Sequence, residues 1–288
     1  MRFPGFETTI WEEKRLGELL EFKNGINASK EQYGRGAKFI NVLDILNNDF
    51  ITYENIVGRV DVEDAIAEKF AVRYGDILFQ RSSETREEVG TANVYLDKER
   101  NATFGGFVIR GRKIGEYEPI FFNKLLKTDK ARDSITSKSG GSTRYNVGQE
   151  ILTSIFLHFP SLPEQRKIAD LLSLIDDRIT TQNKIIEQLE TLMQGLREKL
   201  FTQKLRFKDE NGNDFPDWEV KMLGEIATVK TGSSNRQDST LVGEFVFFDR
   251  SQDIRTSDIY LFDKEAIIVP GEGQEFIPKY YIGKFDLH

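Results

Sequence analysis

The sequence contains no cysteine, which excludes disulfides, thiol catalysis and thiolate metal sites. Histidine is nearly as scarce: His158 and His288 are the only two, too few to build a metal or triad site between them. His158, in the run FLHFP, reads as a packing residue. No apolar run approaches the roughly 20 residues of a membrane-spanning helix, and the opening MRFPGFETTIWEEK has no apolar signal core. No membrane association and a cytoplasmic location are therefore expected. There is no Gly-x-x-x-x-Gly-Lys-Ser/Thr phosphate loop, no cofactor glycine fingerprint behind a strand, and no Asn-Pro-Pro-aromatic motif of the kind used by adenine methyltransferases. Pro216–Lys221 superficially resembles a nuclease motif, but its carboxylates and lysine are too tightly spaced. These absences point to a chain with no catalytic residues and no cofactor or metal of its own.

Excess positive charge is also missing. A net charge of −7 argues against a generic nucleic-acid coat. The charge is uneven: 23 basic against 24 acidic residues in 1–160, 8 against 7 in 161–207, and 9 against 16 in 208–288. Nearly all the excess acid thus lies in the last segment. Within the first, Lys124, Lys127, Lys130, Arg132, Lys138 and Arg144 face only Asp129 and Asp133 over 124–144, a local positive patch.

What is present is a long helical signal from Ser161 to Leu200. Apolar positions recur in alternating steps of three and four at Ile168, Leu172, Ile175, Ile179, Ile186, Leu189, Met193, Leu196 and Leu200, with Gln182 as the one polar seam position. Ser161 and Glu164 have capping-box spacing, and Pro163 lies in the first turn, where its missing N–H costs no helical bond. At about 1.5 Å per residue the helix is roughly 60 Å long, more than a small domain can bury. Its seam predicts a partner helix, with Gln182 fixing register.

The segment before it reads as mixed α/β. IWEEKRLGELLEF contains a short helical turn, and 37–43 and 75–81 read as strands. Residues 81–86 form a polar loop. TANVYL and GGFVIRG are further strands, 120–135 has helical spacing with its basic residues on the non-apolar positions, and KSGGSTRYNV is a Gly/Ser-rich loop. After the helix, Asn211-Gly212 and Phe215-Pro216 mark a linker with a turn. Then DWEVKMLGEIATVKTG (217–232) repeats IWEEKRLGELLEFKNG (10–25) at an offset of 207, with eight of sixteen positions identical, Trp11/Trp218, Leu16/Leu223 and Gly25/Gly232 among them. The duplicated tryptophans read as core anchors. Weaker echoes place 38–40 against 244–246 and 75–78 against 264–267. A repeat of about 200 residues is a duplicated domain, and the chain carries the second copy to about the midpoint of the first. The expected organisation is a first domain over 1–160, a spacer helix over 161–205, and a partial second domain over 206–288.

Four stretches together resemble the specificity subunit of type I restriction-modification enzymes. They are FPGFETTIWEEKRLGE, GDILFQRSSETREEVGTANVYL followed by FGGFVIRG, GGSTRYNV, and LPEQRKIADLLSLIDDRI. The last is the most specific. The resemblance implies α/β target-recognition domains, each reading half of a split DNA sequence, separated by coiled-coil helices that set the half-site spacing and dock DNA adenine methyltransferase subunits. It implies a role without catalysis, in a complex whose methyltransferase and translocase-nuclease subunits bring S-adenosylmethionine, ATP and Mg2+. The incomplete second domain departs from that pattern.

Candidate DNA contacts come from the two polar loops and the basic helix. Arg81, Ser82, Ser83 and Arg86 lie in the first loop. Ser142, Thr143, Arg144, Tyr145 and Asn146 lie in the second, where Gly140 and Gly141 would let the backbone approach a phosphate. Lys124, Lys127, Lys130 and Arg132 lie on the helix. Arginine, asparagine and serine read base edges, while lysines and backbone N–H groups hold phosphates. Two rival expectations use the same seam: a coiled-coil scaffold that binds only protein, and a truncated or silent specificity-gene fragment active only by pairing with another half. A homodimer through the helix is a third possible partnership.

Overall fold

Polar and glycine punctuation breaks the first 160 residues into short apolar runs, so the strands they form are short. In the computed structural model, which describes residues 4–6, 8, 10–141, 144–251, 253–271 and 277–288, the chain divides into two units, Met1–Glu198 and Lys199–His288.

The first unit opens with β1 (Glu12–Arg15), the one-turn helix α1 (Leu16–Leu19) and β2 (Leu20–Asn24). Leu16, Leu19 and Leu20 are all buried. β3 (Tyr33–Ile40) follows. The strand expected over 37–43 stops at Ile40, because Asn41 caps a helix: its side chain accepts from Leu43 N–H at 2.9 Å and Asp44 accepts from Asn41 N–H at 2.8 Å. That helix is α2 (Val42–Leu46); β4 (Arg59–Val60), α3 (Asp64–Lys69), β5 (Ile77–Gln80), β6 (Ser82–Ser83), β7 (Ala92–Val94), β8 (Thr103–Phe104) and β9 (Val108–Lys113) come next. The helix expected over 120–135 is two, α4 (Pro119–Leu126) and α5 (Asp129–Thr136), because Thr128 restarts the chain as an N-cap, its hydroxyl accepting from Ala131 N–H at 3.4 Å. β10 (Tyr145–Asn146), α6 (Gln149–Thr153) and β11 (Phe156–Phe159) lead into α7 (Leu162–Phe201).

An antiparallel sheet in the order β2-β9-β5-β7 is the middle layer. Because side chains alternate across a strand, Ile77, Phe79 and Ile109 enter one core with Tyr117, Phe122 and Phe159, while Leu78 and Val108 enter a second with Ile40, Ile51, Tyr95 and Phe104. The sheet β4-β3-β8 adjoins this second core through Ile40 and Phe104. At the entry to β5, the buried Asp76 carboxylate accepts from Arg73 N–H at 2.9 Å and Lys113 N–H at 3.1 Å, with Arg112 Nε at 3.3 Å.

Only the first turns of α7 pack on the core of this unit. Gln165 accepts from Glu118 N–H at 3.0 Å and donates to Pro160 O at 2.9 Å, tying the first turn to the head of α4. Glu164, Gln165 and Ala169 are buried, whereas Ile175, Ile179, Ile186, Leu189, Met193 and Leu196 are each 45–60% exposed. Among the described residues no helix is long and apolar enough to cross a membrane.

The second unit contains α8 (Leu223–Ile226), β12 (Phe245–Phe248), β13 (Arg255–Ser257), β14 (Phe262–Ile268) and β15 (Lys279–Leu287), with sheet order β13-β12-β15-β14. α8 falls in the same repeat register as α1. β12 pairs antiparallel with β13 and parallel with β15, as β3 pairs with β4 and β8. β14 pairs antiparallel with β15, as β5 pairs with β7. One long strand, β15, thus stands where the first unit has two. Gly25 and Gly232 pack alike: a Cβ on either would sit 2.1 Å from a backbone carbonyl, that of Gly105 or Leu287. The difference is cover. Leu16 and Leu19 are buried beside Leu152, Ile155 and Leu157, while Leu223 and Ile226 are 66% and 68% exposed.

Candidate nucleic-acid interface

Two-residue strands carry no hydrophobic period, so nothing in the sequence connects the polar run at 81–86 with the Gly/Ser loop some sixty residues later. The structure joins them. β6 and β10 pair antiparallel, Tyr145 opposite Ser83 and Asn146 opposite Ser82. Val147 N–H extends the ladder, donating to Arg81 O at 3.0 Å. Gly140 and Asn146 exchange backbone bonds at 3.2 and 2.8 Å, which closes the second loop on itself. Gly141 holds φ +136°, and a Cβ there would meet Arg144 O at 1.8 Å. Ser142 and Thr143 lie outside the described residues.

The ribbon's interior is occupied by hydroxyls and its rim by charges. Ser83 is buried and donates to Glu88 at 2.8 Å, so it fixes the turn and is withdrawn from the surface. Ser82 and Tyr145 are half-buried; Arg81, Arg86, Arg144 and Asn146 are exposed. Arg86 donates to Thr136 O at 3.2 Å, and Arg144 lies 3.6 Å from Glu84. An exposed pair of that length contributes little, so the Arg144 guanidinium is available to a stronger anion.

The basic helix is less of a solvated face than its spacing suggests. Lys124 is turned toward α7, its ammonium 2.6 Å from Asp176. Lys127 donates to Asp49 O at 3.1 Å. Arg132 is half-buried and donates to Glu87 O at 2.8 Å and Val89 O at 2.7 Å, and burial pushes its pKa down. Three of these four cations therefore also hold the fold together; Lys127 and Lys130 are the exposed ones. Since Lys124 and Asp176 are only 21% and 33% exposed, removing either should cost roughly 1 kcal/mol or more, and the double mutant should be less destabilised than the two single losses summed. Urea denaturation of Lys124→Ala, Asp176→Ala and the double variant measures that coupling. Lys124→Ala should leave the salt dependence of DNA binding unchanged.

The seam residues divide by position. Ile168 packs on the first unit's core and Leu172 is half-buried, while Ile175 through Leu196, Gln182 included, face solvent; Leu200 is half-buried. Leu171, Leu174, Ile185 and Leu192, outside the predicted seam, are also 43–67% exposed, so the apolar stripe is wider than a two-helix seam requires. Among the described residues no group of three His, Asp or Glu side chains is placed to hold a metal ion.

The family model for the type I restriction modification DNA specificity domain matches residues 9–191, taking in the ribbon and most of α7. Over 242 residues, 79% of this chain and 54% of the relative, the chain is 26% identical to the type I restriction enzyme MjaIX specificity subunit of Methanocaldococcus jannaschii. Over 118 residues, 39% and 27% of the two chains, it is 35% identical to the MjaVIII specificity subunit of the same organism. The chain spans about half the length of the curated relatives it matches. The crystal structure of the type I restriction-modification system S subunit from M. genitalium superposes with a TM-score of 0.55 at 18% identity, covering 99% of this chain and 73% of that one. That likeness is one of fold. Because that family model matches more than half of this chain, the chain belongs to the type I restriction modification DNA specificity domain family.

Proposed function

We propose that this chain is a non-catalytic DNA specificity subunit whose first unit reads one half of a bipartite double-stranded target. The observation that carries the reading is the β6/β10 ribbon. It draws two polar loops, distant in sequence, into one exposed edge bearing Arg81, Arg86, Arg144 and Asn146. Those side chains are the types that read base edges and phosphates. The organisation proposed is a target-recognition domain over 1–160, a coiled-coil spacer over 161–205 and a partial second recognition domain over 206–288. In this reading α7 docks DNA adenine methyltransferase subunits, and a translocase-nuclease subunit completes the complex in the cytoplasm. Methylation and cleavage, with S-adenosylmethionine, ATP and Mg2+, belong to those partners.

The exposed apolar stripe of α7 favours a second reading, a protein-only scaffold or a half-subunit that acts by pairing with another copy. Arg86→Ala and Arg144→Ala in the assembled complex separate the two. On the DNA reading, a lost phosphate contact lowers the slope of log affinity against log salt by roughly one, and a lost bidentate base contact costs about 1–3 kcal/mol. Unchanged affinity and slope in both variants would place the DNA face elsewhere, and a wild-type complex with no sequence preference would favour the scaffold.

A further inference from the structure

Beside the ribbon stands an aromatic side chain that lies mostly outside the folded core. Phe107 sits in the turn from β8 to β9, closed by Val108 N–H donating to Gly105 O at 2.9 Å, and is 65% exposed. Its mount is rigid. Arg81 N–H donates to Phe107 O at 2.9 Å and the Arg81 guanidinium to Gly106 O at 3.3 Å, so the residue that begins the ribbon also grips the turn. On the other side Asn27 approaches so closely that a Cβ on Gly106 would lie 1.9 Å from its Oδ1. A phenylalanine held out this way loses hydrophobic burial in the free chain and little entropy on binding, which is the pattern of a binding anchor.

The surroundings indicate what it would bind. Phe107 borders an open groove of about 470 Å³, lined also by Tyr33, Leu43, Val57 and Arg59. Among the described residues the Arg59 guanidinium donates to Gly36 O alone, at 3.0 Å, and that of Arg81 to Gly106 O; both are exposed. The neighbouring carboxylate of Asp61 is taken up by Arg35 at 2.8 Å. Apolar floor, exposed aromatic and cationic rim are complementary to stacked bases flanked by phosphates.

Resting on the DNA reading above, we infer that Phe107 is a wedge that enters the base stack at the edge of the recognised half-site, with Arg59 and Arg81 on the adjacent phosphates. A wedge of this kind unstacks one step and lets a bent duplex meet more protein. The probe is a duplex carrying the sequence methylated in the host, with 2-aminopurine stepped through and beyond the half-site, bound by the complex of this chain with its methyltransferase subunits. Wild type should raise the fluorescence at one step at the half-site edge. Phe107→Ala should abolish that rise and weaken binding about tenfold or more with the salt slope unchanged, and Phe107→Trp should restore both. Wild-type fluorescence and affinity in Phe107→Ala, alongside weakened binding in Arg144→Ala, would overturn the wedge and leave the DNA reading standing. No sequence-specific binding by wild type would overturn both. Loss of methyltransferase binding in Phe107→Ala would overturn the wedge by making the groove a protein contact.

Discussion

Asp76→Ala is expected to lower the stability of the first unit by about 3 kcal/mol or more, enough to shift its melting temperature by roughly 6–12 °C. The carboxylate is 1% exposed and accepts two backbone N–H groups, those of Arg73 and Lys113. Its removal orphans both donors and leaves the Arg112 guanidinium, with Arg110 close by and buried, short of a counter-charge. Asp76→Asn keeps one acceptor and should lose less. Burial raises the Asp76 pKa against the pull of the Arg73 N–H and Arg112. The folded state therefore holds this proton more tightly than the unfolded chain. Its contribution to stability is greatest below the unfolded value near 3.9, declines as pH rises toward the folded value, and is flat beyond it. Urea melts followed by the fluorescence of Trp11 in a Trp218→Phe background measure both effects. A loss below 1 kcal/mol for Asp76→Ala would mean that this junction is solvated.

The second large effect is on association. Ile179→Lys with Ile186→Lys should weaken pairing of α7 with its partner by roughly two to three orders of magnitude, since each is a central seam position and hot-spot truncations cost about 2 kcal/mol. The same double variant should leave the melting of the first unit unchanged, because both side chains are already about half exposed there. Sedimentation of the chain alone and co-purification with the methyltransferase read the two possible partners separately. A wild-type chain that stays monomeric at high concentration and binds the methyltransferase as well after the substitutions would show that the seam is not an interface. Gln182→Leu should tighten pairing and loosen its register, the usual trade at a polar seam position.

These two regions also mark what the sequence made legible. The limits of α7 follow from periodicity and its first-turn proline because a forty-residue amphipathic repeat leaves little room for another structure. The strands at 77–80 and 108–113 follow from dense apolar runs, and the duplication shows in identities that reappear as the same one-turn helix and the same strand pairings. Contacts between distant polar residues were not legible. Nothing in a list of residues says that Ser83 would be buried against Glu88, that Tyr145 would pair with it, or that Lys124 would turn toward Asp176 fifty-two positions on. The break at Thr128 and the stop at Asn41 are readable in principle from capping chemistry, but the apolar pattern continues past both caps and hides them. Phe107 escaped for a related reason: in the run FGGFVIRG it looks like one more strand hydrophobe, and only the turn puts it outside.

Half-site reading by the first unit is tested most directly by exchanging residues 10–160 for the matching segment of another family member and mapping adenine methylation across the host genome. One half of the methylated sequence should change to the donor's while the other half and the spacer length between them stay as they were, since α7 is untouched. A methylated sequence unchanged in both halves, or changed in both, would contradict it.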